Sequence, residues 1–95
     1  MRKILFYVDV LDKEGNRYRD SEFKKVLEFE FREEFNDGAG DDTFERECRR
    51  YYRRFKAISP ESNISVEVRD YNSFTQTWPL LYSFYGAENR FVKHD

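Results

Sequence analysis

The sequence predicts an α+β domain: a small antiparallel (mixed) sheet of three to four strands, in the order β-β-α-β-(β), with one amphipathic helix at about residues 43–58 packed on one face. Three stretches carry that reading. Thr43 to Ile58, TFERECRRYYRRFKAI, repeats with helical period, so that Phe44, Cys48, Tyr51, Phe55 and Ile58 share one face with Tyr52 at its edge. Asn63 to Asp70, NISVEVRD, alternates apolar and polar residues as a strand with one solvated face does. Lys3 to Leu11, KILFYVDVL, is β-branched, aromatic and apolar on both sides, which suits a central strand.

In chain order, the first strand is followed by DKEGN (12–16), a turn in which Gly15 supplies the positive φ of a bulged hairpin. The segment from Arg17 to Asp37 reads two ways. Ser21 and Gly38 could bound a helix. Between Phe23 and Phe35, however, five of seven odd positions are apolar and only one of six even positions is, a period of two. Lys24 and Lys25 would also sit at the positive end of any helix there, with Glu33 and Glu34 at its negative end. A strand over about 23–33 is the expectation. In NDGAGDD (36–42), two glycines and three aspartates suggest a metal loop, but the ligand spacing of an EF-hand is absent. Asp41 or Asp42 is expected to cap the helix, and with Asp42 as N-cap, Glu45 three residues on is close to a capping box; no metal is expected.

The helix should end near Ser59, because Pro60 disfavours continuation. For Tyr71 to Gly86 two readings stand. Thr77 could cap a short helix with Pro79 in its first turn; an extended edge segment beginning at Pro79 fits the aromatic content, and the balance lies there. Arg90–Val92 could add a short strand, and the last three residues should fray. The order 2-1-3, with a fourth strand outside, is the simplest topology.

Ninety-five residues make one domain with one core. Hydrophobic content of 39% is low for a folded chain, but seven Tyr, ten Phe and one Trp supply large buried area per residue. Net charge is −2, too little to draw the whole molecule to DNA or a membrane. Its distribution says more. Residues 45–56 hold six cations and two carboxylates, whereas residues 28–42 hold seven carboxylates and one arginine. A single cysteine forms no internal disulfide, and no apolar run is long enough to span a bilayer; a cytoplasmic location is the expectation.

A catalytic reading is poor. His94, the only histidine, acts as base or ligand only if the tail docks; no GxSxG elbow, phosphate loop or CxxC pair is present, and no cofactor is expected. Arg46, Arg49, Arg50 and Arg53 form a ridge on the outer face of the helix. It is either a solvated face neutralised by Glu45, Glu47 and the acidic strand, or a surface that recognises anions. The lead expectation is a small non-enzymatic protein-binding domain. Its expected contacts are the ridge, the acidic strand face (Glu28, Glu30) and the late aromatics Tyr71, Trp78, Tyr82 and Tyr85, against a partner with charged patches of its own. The alternative is a nucleic-acid-binding module using the ridge together with Arg54; a homodimer is a third possibility. No motif identifies a family. Short, charge-dense, aromatic-rich chains without a catalytic motif resemble many small phage or mobile-element proteins that block a host factor, and that likeness of class implies an inhibitor.

Overall fold

A computed structural model of the chain describes residues 1–11 and 27–94. The expected turn at 12–16 around Gly15, the possible cap Ser21 and the expected start of the second strand at Phe23 lie outside the described residues, as does Asp95. Five strands and one helix follow in order: β1 (Arg2–Leu11), β2 (Leu27–Phe35), α1 (Asp41–Ile58), β3 (Asn63–Asp70), β4 (Leu80–Tyr85), a 3-10 turn (Gly86–Glu88) and β5 (Arg90–Lys93). The sheet runs β2-β1-β3-β4-β5, and every neighbouring pair is antiparallel.

The sheet therefore has five strands, not three to four, and none is parallel. The disputed segment is extended at residues 80–85, with Pro79 just before them, and the possible short strand at Arg90–Val92 forms as residues 90–93, folded back beside it. The tail does not fray at His94. Its N–H donates to the Leu81 carbonyl at 2.9 Å, and its imidazole Nε2 lies 2.8 Å from Ser83 Oγ.

Period-two alternation sends Ile4, Phe6, Val8 and Val10 of β1 and Ile64, Val66 and Val68 of β3 to the helix side, where all are buried. Tyr82 and Phe84 of β4 join them. From above, α1 inserts Phe44, Cys48, Tyr51 and Phe55. The helix-side residues of β2 complete an aromatic layer: Phe31 stacks on Tyr51 at 5.0 Å, Phe29 meets Phe55 at 5.0 Å and Phe35 meets Phe44 edge-on at 5.2 Å. Each fully buried ring contributes roughly 1.5–3 kcal/mol, which explains how a charge-dense chain closes a core.

Two local expectations about α1 are corrected. Its N-cap is Gly40, whose carbonyl accepts from the N–H groups of Thr43 and Phe44; Asp42 lies inside the first turn, and no side chain caps the helix. Asp41 and Asp42 still place negative charge at the helix's positive end. Ile58, expected on the packed face, is 71% exposed, because Phe55 makes the helix's last core contact. Beyond it the Ser59 N–H donates to the Phe55 carbonyl and Lys56 Nζ to the Ser62 carbonyl, closing the C-terminus.

Candidate functional site

The helix covers one face of the sheet, and register fixes what the other presents. Leu5, Tyr7 and Asp9 of β1 lie beside Glu30, Glu28 and Arg32 of β2 and beside Glu67 and Arg69 of β3. Trp78 extends across this face. It shares one shallow depression with Tyr7, Glu28, Glu67 and Arg69, and a second with Lys3, Arg32 and Glu34. The Arg32 guanidinium lies 5.8 Å from the Trp78 ring, Tyr71 packs against Trp78 at 4.9 Å, and Lys3 Nζ sits 5.9 Å from the Tyr71 ring. Arg69 is fixed twice, donating to the Trp78 carbonyl at 3.1 Å and to Glu67 at 3.0 Å. The phenol of Tyr7 is pushed up, chiefly by its hydrogen bond to Glu30. The face thus has a half-buried indole flanked on both sides by cations and carboxylates together.

Above it, the β3–β4 connection holds a tight loop. Asn72 and Thr77 exchange backbone hydrogen bonds at 2.9 and 3.3 Å, and Asn72 Oδ1 accepts from the N–H groups of Phe74 and Thr75. The Thr75 and Thr77 hydroxyls meet at 2.6 Å, and Gln76 takes left-handed backbone at φ 55°. This scaffold carries Phe74, 97% exposed, at its tip.

The arginine ridge lies on the opposite side of the molecule. Arg49 donates to Glu45 at 2.9 Å and to Asn89, and lies 4.8 Å from the Phe84 ring. Arg50 is held by Glu47 at 2.6 Å, with Glu33 of β2 at 3.6 Å. Arg54 spreads over the Phe31 and Phe55 rings. Only Arg46 and Arg53, among these five, have no partner among the described residues.

The residues singled out in the sequence therefore divide. Glu28, Glu30, Tyr71, Trp78 and Tyr85 belong to the open face or its rim, and Arg46, Arg49, Arg50 and Arg53 to the back of the helix. Tyr82 belongs to neither and cannot touch a partner: it is 3% exposed, packed between Phe44 and Phe91, and its hydroxyl donates to Asp41. Burial, then that hydrogen bond, pushes its phenol up to about 12. Tyr51, bonded to Glu33, is raised for the same reasons. Two features escaped sequence reasoning. One is that Phe74, among the dense late aromatics of which some were expected to stay exposed, is the one set wholly in water, a choice signalled by the polar run around it, NS-F-TQT. The other is an apolar groove where Leu27 and Phe29 meet Phe55 and Ile58, hidden because Ile58 fitted the packed face.

Ser83 and His94 are the described pair nearest to nucleophilic chemistry, but Ser83 is 4% exposed and no described carboxylate orients the imidazole. Cys48 is buried, and burial pushes its thiol up to about 12. No group of three or more His, Cys, Asp or Glu among the described residues is placed to hold a metal ion, and no described helix is long and apolar enough to cross a membrane. Comparison with protein-family models, with curated proteins and with solved structures finds no match.

Proposed function

We propose that this chain is a small non-enzymatic domain that works in the cytoplasm by binding another protein, through the 71–79 loop and the open sheet face beside it. Blocking a host factor, as small phage and mobile-element proteins do, is the activity this reading favours. The observation that carries it is Phe74, 97% exposed on a loop whose backbone is already hydrogen-bonded. An apolar side chain fully in water gains roughly 1.5–3 kcal/mol when a partner's pocket takes it. A loop ordered beforehand loses little conformational entropy on docking. Trp78 and Tyr71 enlarge the apolar centre, and Arg32, Lys3, Glu28 and Glu30 supply a two-signed rim that selects a partner of complementary charge.

The test is capture from host lysate under nuclease treatment, with wild type and Phe74→Ala side by side, followed by affinity measurement on the purified target. Phe74→Ala should unfold within about 0.5 kcal/mol of wild type, since the residue is 97% exposed, yet lose the target. Equal recovery of the same protein by both would remove the loop from the reading. Arg46 and Arg53, without described carboxylate partners, support a second reading as a phosphate-binding ridge with Arg54. It predicts binding to duplex DNA with a log–log salt slope near −0.9 per phosphate contacted, about −3 for three guanidinium groups. Asp41, Asp42, Glu45 and Glu47 on the same helix weigh against it, and no binding at low salt would end it.

A further inference from the structure

We infer that the outer edge of β2 is a strand-addition site for an extended segment of a partner protein in which apolar and basic residues alternate. The inference rests on the reading of the chain as a protein-binding domain; it shares the β2 carboxylates with that reading's rim and adds the apolar groove on the helix side of β2. Trp78 adjoins β2 on the open face, near Arg32 and Glu34 and again near Glu28, whereas the groove argued here lies on the helix side at the Leu27 end.

β2 is nine residues long and stands at the end of the sheet; among the described strands it pairs with β1 alone. Among the described residues no strand lies along its outer edge, whose backbone groups are of the kind a further strand pairs with. The strand at the opposite end, β5, has only four residues and offers a much shorter template.

The two faces of β2 differ chemically, and the difference specifies what would add. Toward the helix, Leu27 is 54% exposed, Phe29 39% and the neighbouring Ile58 71%. Together with Phe55 they line an apolar groove, and the Arg54 guanidinium over Phe31 bounds it. On the open face β2 presents Glu28, Glu30 and Glu34, with Arg32 as the one cation. A strand docked at the usual spacing of about 4.8 Å sends alternate side chains to the two faces. One set would extend the apolar layer over Leu27 and Phe29. The other would stand opposite Glu30 and Glu34, where unlike charges stabilise and like charges repel. A second copy of β2 does not meet that requirement. With three glutamates and one arginine on the open face, two such strands would oppose mostly like charge.

Synthetic peptides test this directly. One nine-residue peptide alternates valine and lysine, a second alternates valine and glutamate, and a third scrambles the first. Fluorescence anisotropy gives affinity, and amide hydrogen exchange locates the bound peptide. The valine–lysine peptide should bind at least about tenfold more tightly than either control, the sum of a few cross-strand charge pairs and the alternation, and should slow exchange in β2. Glu30→Lys with Glu34→Lys should reverse the preference between lysine and glutamate. Leu27→Ser with Ile58→Ser, both at exposed positions, should weaken binding of the lysine peptide while leaving the thermal melt unchanged. Equal binding of alternating and scrambled peptides, protection outside β2, or a dimer that forms without peptide and dissociates on charge reversal would each overturn the inference. Phe74→Ala should bind the peptide as wild type does. Loss of peptide binding alongside intact Phe74-dependent capture would overturn the strand site alone.

Discussion

Replacing Gly86 with alanine would set a methyl carbon 2.4 Å from the Ile64 carbonyl oxygen and 2.4 Å from Cε1 of Tyr52. Ordinary contact needs about 3.5–4.0 Å, so one side must move by roughly 1 Å. The Ile64 carbonyl belongs to β3, held in the ladder between β1 and β4, and cannot yield alone. The Tyr52 ring stands edge-on to Phe84 at 5.6 Å, so turning it disturbs a buried neighbour. Overpacking of this kind costs about 1–3 kcal/mol. Taking about 2 kcal/mol, a domain of this length should lose roughly 8–16 °C in Tm. Urea unfolding followed by circular dichroism measures it, with the m value unchanged if only the folded state suffers. The same substitution in a Tyr52→Ala background separates the two obstacles: the ring is gone but the carbonyl remains, so the added cost should shrink without vanishing. A Gly86→Ala protein that melts with wild type would refute the reasoning, and complete relief by Tyr52→Ala would show that the ring, not the strand, is the obstacle.

Other outcomes follow from the core and its buried titratable groups. Phe44 is fully buried between Phe35 and Tyr82, so Phe44→Ala should cost about 3–5 kcal/mol in the same urea assay, in contrast to the exposed Phe74. Tyr82, raised to about 12, and Tyr51, also raised, should keep their protons after exposed tyrosines have ionised. Because the folded values exceed the unfolded 10.0, the stability they contribute is complete below about pH 10; Tyr82's share is lost as pH rises through about 12, and Tyr51's as it rises further. Tyrosinate absorbance alongside melting curves across that window would show it; a single tyrosine titration near pH 10 without loss of stability would contradict it. Cys48, buried with its thiol at about 12, should resist thiol reagents in the native protein and react once urea unfolds it.

Short-range patterning made much of this fold legible before any coordinates. NISVEVRD alternates so cleanly that its strand boundaries coincide with those observed, and the odd-position aromatics of β2 declare which side meets the helix. The legible part ends where local and tertiary forces compete. Asp42 looks like a cap by type and spacing, yet Gly40 takes that place, and neighbouring Asp41 accepts the hydroxyl of Tyr82, 41 residues away. Tyr82 reads as one more aromatic in a dense run, and only pairing with β3 and β5 shows that it faces inward. Ile58 fits the apolar stripe by angle, but the stripe continues one turn past the core. The candidate site was half visible. Glu28, Glu30 and Trp78 were named from charge and composition, but their convergence on one face, with the arginine ridge on the other, depends on strand order.

Guanidinium groups lie over rings all around this molecule: Arg2 over Phe44, Arg49 over Phe84, Arg50 over Tyr51, Arg54 over Phe31 and Phe55, Arg90 over Tyr85. Apart from the exposed Tyr85, the rings are packed in or against the core, so these cations serve as its outermost layer as much as they serve as charge. Lysine cannot replace arginine in that role without loss, because its ammonium is compact and lacks the flat face that lies along a ring. Glu30 and Glu34, by contrast, project from β2 on the side away from the core and can change sign without uncovering a ring. The surface is therefore part fixed and part adjustable, and the adjustable carboxylates stand where a partner would be chosen. Sequence drift could retune recognition at those positions while the fold beneath stays the same.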